Sequence, residues 1–179
     1  MIALWCALAL AQAAPGWGIS DLGVGPVIVG KPVPKAQLAG AEYKTSFYAD
    51  AQPLEGFLLK DPEVLAIVSG GPFSKWGMDH PGEDVPQKIK KDALKKAPKL
   101  RVQMIIVTSE KWSAEGNVHV GSTFPEVKAA WTDAKLTMLP GMWEEPSCLV
   151  VKGKVSAFFR KCEGGKLSDD ATVIRLVVR

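Results

Sequence analysis

Few side chains in this sequence are of types that do chemistry, so they are soon placed. The chain of 179 residues holds two histidines and three cysteines. His80 lies in Asp79-His80-Pro81-Gly82-Glu83-Asp84, an imidazole among carboxylates. Asp79, His80 and Glu83 could serve a hydrolytic site or hold a divalent cation weakly, but the spacing matches no standard ligand set. His119 alternates with Val118 and Val120 and reads as an ordinary strand residue. A Ser-His-Asp or Cys-His arrangement would need one of these histidines beside a nucleophile. There is no G-x-S-x-G, no P-loop and no G-x-G-x-x-G opening a helix. Gly23-x-Gly25 precedes a strand, the wrong order for dinucleotide binding. Glu144-Glu145, beside Trp143 and Pro146, reads as a solvated turn; acid–base work would need a partner across a cleft. No catalytic residue, metal ligand or cofactor is assigned.

Two cysteines carry the firmest chemistry. Residues 1–14 form an apolar run ending in Ala11-Gln12-Ala13, the A-x-A pattern of a secretory signal. The run is too short to cross a bilayer. Cys6 follows Trp5, where a lipoprotein signal needs a small residue, so no lipid anchor is expected. Removal of the signal leaves Cys148 and Cys162, and an even pair in an exported chain favours a disulfide. The expected compartment is periplasmic or extracellular. One difficulty stands against the bridge. A two-residue turn at Lys152-Gly153 would set Cys148 opposite Ala157, and the chain must then fold back beyond Arg160 to bring Cys162 near.

The elements that position these groups follow from an internal repeat. A constant shift of 91 aligns Gly25 with Gly116, Val27 with Val118, Val29 with Val120, Gly30 with Gly121 and Pro34 with Pro125. It continues through Leu58 with Leu149, Val64 with Val155 and Ala66 with Ala157. Alternating valines mark strands with one buried face. Gly30 and Gly121 end those strands, where a positive φ is free of cost. Thr123-x-x-Glu126 fits a capping box with Pro125 in the first turn, and Val127, Ala130 and Trp131 make a narrow apolar face. The first copy has Pro32 and Pro34 and no cap, so its helix should be shorter. Each copy then has a hairpin, 57–60 with 64–68 and 149–151 with 155–159, and a last strand, 100–107 and 172–178. Phe47 and Tyr48 suggest an extra strand. The reading is α+β: two tandem strand-helix-hairpin-strand repeats, 23–107 and 114–179, with an antiparallel sheet and a helical insertion in the first.

That insertion, residues 69–98, is where the copies differ in length and where specificity is most readily carried. Gly70-Gly71-Pro72 and Trp76-Gly77-Met78 read as loop. Residues 85–97 read as a helix with Val85, Ile89, Ala93 and Leu94 on one face and Lys88, Lys90, Lys91, Lys95 and Lys96 around the rest. The net charge is only +3 and no aromatics interleave with the lysines, which argues against nucleic acid. The candidate binding set is Trp76, Asp79, His80, Lys88, Lys91, Lys95, Trp112 and Trp143; the two last tryptophans lie in polar or loop context and suit an interface.

The unit Val118-x-Val120-Gly121-x-Thr123-x-x-Glu126-Val127 resembles the glycine-then-helix motif of BamE-like outer-membrane assembly lipoproteins and of tandem β-lactamase inhibitory proteins. The resemblance covers about twenty residues per copy. It departs in having a single helix per unit, no anchor cysteine, and no Thr or Glu in the first copy. It implies α+β repeats and a binding role by analogy of fold. The expected function is an exported, non-catalytic interaction module of the bacterial cell envelope whose partner is another envelope protein. The competing readings are a hydrolase built around His80 and a structural protein laying its lysine helix on anionic lipid.

Overall fold

The structure is a computed structural model that describes residues 18–48, 52–80, 83–139, 147–160, 162 and 164–179. The expected signal 1–14, Trp143 and the Glu144-Glu145 pair lie outside these residues. In chain order the strands β1 (Ile19–Ser20), β2 (Gly23–Val24) and β3 (Val27–Ile28) form a small sheet. A 3-10 turn at Lys35–Leu38 leads to β4 (Glu42–Tyr48), β5 (Gln52–Leu58) and β6 (Leu65–Ser69). Two helices follow, α1 (Pro72–Asp79) and α2 (Gln87–Lys96), then β7 (Arg101–Val107). The hairpin β8 (Ser113–Ala114) and β9 (Val118–His119) precedes α3 (Phe124–Ala130). The chain closes with β10 (Lys135–Leu139), β11 (Ser147–Lys152), β12 (Val155–Phe159) and β13 (Val173–Val178).

Eight strands make one antiparallel sheet in the order β10-β11-β12-β13-β7-β6-β5-β4. It consists of two four-stranded meanders joined where β13 pairs with β7, Leu176 opposite Val107 and Val178 opposite Ile105. All four of these side chains are fully buried. Facing residues on antiparallel strands share a side of the sheet, so this row continues into Phe57, Ala66 and Ala157 and builds the main core. Val27, Val33, Ala93, Ala97, Val118, Val127 and Trp131 cover it from the small sheets and helices. On the opposite side Leu149, Phe158 and Val177 form a second cluster drawn from strands alone, with the Arg175 guanidinium 4.4 Å over the Phe158 ring.

Each meander is tied to its preceding glycine break by the same two bonds. The Gly30 N–H donates to the Val102 carbonyl at 2.7 Å and the Val102 N–H to the Lys31 carbonyl at 2.9 Å. The Gly121 N–H donates to the Val173 carbonyl at 2.8 Å and the Val173 N–H to the Ser122 carbonyl at 2.9 Å. Both glycines have positive φ, 81° and 96°, a region that a Cβ makes costly. Of the segments that follow these two glycines, only the one with the capping box is a true α-helix: the Thr123 N–H donates to Glu126 at 2.7 Å. That bond, with the Thr123 hydroxyl, holds the Glu126 carboxyl below its usual pKa. The uncapped first segment winds only the 3-10 turn.

Four expectations need correction. The segment 72–79, read as loop, is helix α1. The suggested extra strand at Phe47 and Tyr48 is the end of a seven-residue strand, β4, whose hairpin partner β5 begins at Gln52, not at 57. On α2 the buried residue is Ala93, continued by Ala97 beyond its end, whereas Leu94 is exposed. The β11–β12 turn sits at Gly153-Lys154, because Gly153 takes a φ of 58° and the Lys154 N–H is held by Asp21 at 2.8 Å. Cys148 is thereby set opposite Phe159 instead of Ala157.

This shift of register removes the obstacle to the disulfide. Cys162 follows Phe159 by three residues, and the Cα atoms of Cys148 and Cys162 stand 5.3 Å apart in a bonded pair. Both residues are buried. Closing a loop of this length contributes about 3 kcal/mol in the chain-entropy model. Replacing both cysteines by alanine is expected to lower the unfolding free energy by about 2–4 kcal/mol, read from urea denaturation monitored by circular dichroism. The same loss should appear in the unaltered chain under reducing conditions.

Candidate functional site at the α1–α2 insertion

The insertion is fastened by one carboxylate. Along β5 the residues Glu55 and Phe57 point to the core side, and Glu55 is 1% exposed. Its Oε2 accepts from the Phe73 N–H at 3.2 Å, and its Oε1 from the Ser74 N–H at 3.3 Å and the Ser74 hydroxyl at 2.5 Å. The Tyr43 hydroxyl donates to Oε2 from β4. These backbone donors belong to the first turn of α1, which has no side-chain cap of its own. A negative charge at a helix N-terminus satisfies free N–H groups and complements the helix dipole. Gly71 makes the approach possible: a Cβ there would lie 2.2 Å from Glu55 Oε2.

A carboxylate offers about four acceptor positions, and four donors occupy them here. Glu55 is therefore a fastening for the first turn of α1. Tyr43 is locked in turn. Burial, then the bond to Glu55 and its charge, hold the phenol protonated well above its usual value of 10.0. Sequence reasoning missed Glu55, Tyr43 and Ser74. A signal was present: in Glu55-Gly56-Phe57 the acid shares the parity of a core phenylalanine, so a charge on the buried face needed donors.

From this anchor α1 and α2 project together. Phe73 is buried, and Gly77 lets the helix sit close on Phe73 and Pro53. The Trp76 ring lies 5.9 Å from Phe73 and stacks on His80 at 4.7 Å with 15° between planes. His80 Nδ1 is 3.3 Å from Glu83 Oε1. Asp79 ends α1 and is exposed, and Met78 beside it is 72% exposed. Lys88, Lys91 and Lys95 are exposed on α2, which packs against α1. A groove of about 460 Å³ runs between β4 and the start of α2, lined by Tyr43, Ser46, Phe73, Asp84 and Lys90 among others. The structure brings Trp76 and His80 together at the end of α1 and exposes Lys88, Lys91 and Lys95 on α2.

Other expected residues lie elsewhere. Trp112 is 7% exposed and belongs to the main core, so it offers no interface. Its polar neighbours in sequence misled, because β8 turns it inward. His119 is half-buried, with Nδ1 2.8 Å from the Val120 carbonyl, and its N–H donates to Ser122 Oγ at 3.0 Å. A second cleft of about 460 Å³ is lined by Ile19, Asp21, Trp131 and Lys152 among others. There Lys152 pairs with Glu115 at 3.0 Å and Asp133 at 3.6 Å. The Glu115 bond raises the Lys152 pKa against the opposing effect of burial. No group of three or more metal-ligating side chains gathers among the described residues.

These features define an α+β protein with one curtain of antiparallel strands and its helices on the core side. A solved structure of that kind is the uncharacterized protein YfeY from Escherichia coli, to which this chain is similar over 90% of its own length and 99% of the other, with a TM-score of 0.53 and 13% sequence identity. At that identity the likeness concerns the fold alone. No family model and no curated protein matches the chain, so the resemblance to BamE-like and β-lactamase-inhibitory domains stays at the level of a local motif.

Two substitutions test the fastening. Glu55→Ala strands four donors and is expected to cost about 3 kcal/mol or more. Tyr43 has its own pH signature. The unfolded phenol titrates near its ordinary value of about 10, while the folded one keeps its proton. Its stabilisation is therefore whole below that pH and falls as pH rises past it. The urea midpoint is expected to drop between about pH 9 and about pH 11, and Tyr43→Phe to flatten that drop.

Proposed function

We propose that this chain is a doubled α+β unit, 23–107 and 114–179, exported to the cell envelope, where the α1–α2 insertion of the first unit binds a protein partner without making or breaking bonds. The duplication rests on the constant shift in sequence and on the matching bonds of Gly30 and Gly121 to the meander that follows each. It also rests on the two-meander order of the sheet. Export rests on the apolar run ending in Ala11-Gln12-Ala13 and on the Cys148–Cys162 disulfide, a bond that persists in oxidising compartments. No helix among the described residues is long and apolar enough to cross a membrane.

One observation carries the binding role. The insertion is rigidly anchored through Glu55, yet its outer surface presents Met78, the Trp76–His80 stack and three exposed lysines. Lys88, Lys91 and Lys95 recur at steps of three and four, which place them on one helix face. Such a face, carried on the same insertion as an exposed methionine and an aromatic stack, suits a partner with an acidic surface and an apolar anchor point.

Capture experiments from envelope extract test this reading. The intact chain is expected to bring down a stoichiometric partner. Lys88→Glu, Lys91→Glu and Lys95→Glu together should weaken that capture at least about tenfold while leaving the melting temperature unchanged, as expected for rim charges acting cumulatively. Capture that is unaffected by the three reversals, or absent in the intact chain, overturns the proposal.

A further inference from the structure

The sheet has two outer strands, and they are built differently. β4 carries Glu42 and Lys44, ion-paired at 2.7 Å, and α2 lies beside it. Charge along an edge discourages pairing with another chain. β10 reads Lys135-Leu136-Thr137-Met138-Leu139 and, among the described residues, pairs with β11 alone. Leu136 is 42% exposed and Met138 is 49% exposed. They stand opposite Val150 and Cys148, both buried, on the core side of the sheet. Among the described residues, the elements that cover the core stop short of β10. An edge with unpaired backbone groups and an apolar side is a template for another strand.

We propose that β10 pairs antiparallel with β10 of a second copy of this chain, about a twofold axis at Thr137. The strand's own pattern selects that occupant. Leu136-Thr137-Met138 has the same polarity in both directions, as an isologous contact requires. The pairing sets Leu136 opposite Met138 of the partner subunit, and Met138 opposite Leu136 of the partner subunit, all on the core side. Thr137 faces Thr137 of the partner subunit, a favourable cross-strand pair. Each Lys135 lies opposite Leu139 of the partner subunit. The two lysines are then four residues apart along the strands, about 14 Å at 3.4 Å per residue, beyond the screening length of about 8 Å at physiological salt. The sheets of the two copies join into one. A single pair of short strands is a small interface, so the dimer forms and dissociates with concentration.

Sedimentation velocity of the chain as recovered from its producing cells, from micromolar to hundreds of micromolar, is expected to show a monomer–dimer equilibrium. Met138→Lys puts a charge on the edge at an exposed position. It should keep the melting temperature and weaken the dimer about tenfold or more. Thr137→Cys supplies a second readout. Facing residues in an antiparallel pair have Cα atoms about 4.5–5.5 Å apart, within disulfide range, so this variant should give a covalent dimer on a non-reducing gel. Lys44→Cys, on the other edge, should give none. A chain that stays monomeric throughout and yields no Thr137→Cys dimer overturns the proposal. So does a dimer indifferent to Met138→Lys, or a monomer that instead takes an unrelated extended peptide along β10.

Discussion

The antiparallel seam between β13 and β7 is the contact on which the rest of the molecule depends. Ile105, Val107, Leu176 and Val178 meet there without exposure to solvent. Each meander alone would leave an apolar strand edge and half a core open to water. Joined, they make a sheet broad enough for the short hairpins, the helices and the 3-10 turn to cover on one side. Fully burying a side chain of this size is worth about 1.5–3 kcal/mol, and the four at the seam do so at the centre of the hydrogen-bonded array. The glycine breaks serve the same strands, since Gly30 and Gly121 bond to Val102 and Val173 next to the seam.

Onto this frame the first half adds something the second lacks. Between β12 and β13 the chain passes from Phe159 to Val173 with the disulfide near its start. Between β6 and β7 it builds two helices. Their attachment is polar where the rest of the core is apolar, a single carboxylate with four donors. Such a cluster is stabilising only when complete, because each donor left unpaired in the interior costs more than its bond contributes. The insertion is therefore held in one orientation, and its aromatic and cationic surface is presented from a rigid base.

Much of the architecture was legible from hydrophobic period and spacing. The strands 101–107 and 173–178 fell within a residue of their expected limits. The capping box at Thr123 marked α3, because its partners are three residues apart. What failed did so for one kind of reason. Helix α1 was hidden because Gly71, Pro72 and Gly77 are breakers locally, while the donor acceptance that starts the helix comes from Glu55 on another strand. Leu94 looked like core and Trp112 like surface because periodicity counts apolar residues without knowing which element will lie against them. The turn at Gly153 slid by one residue, and the pairing across it by two, because Asp21, far away in sequence, holds the turn.

By itself the sequence determined the period of the strands, the positions where glycine must take positive φ, the capped helix and the two cysteines that are candidates for pairing. These are matters of local backbone energetics and composition, and they act over a few residues. Only the tertiary structure decided the strand order, the register that brings Cys148 to Cys162, the burial of Glu55 and the exposure of Leu136 and Met138. Those depend on which distant groups arrive to satisfy a charge, exclude water or leave an edge uncovered, and no spacing along the chain encodes that arrival.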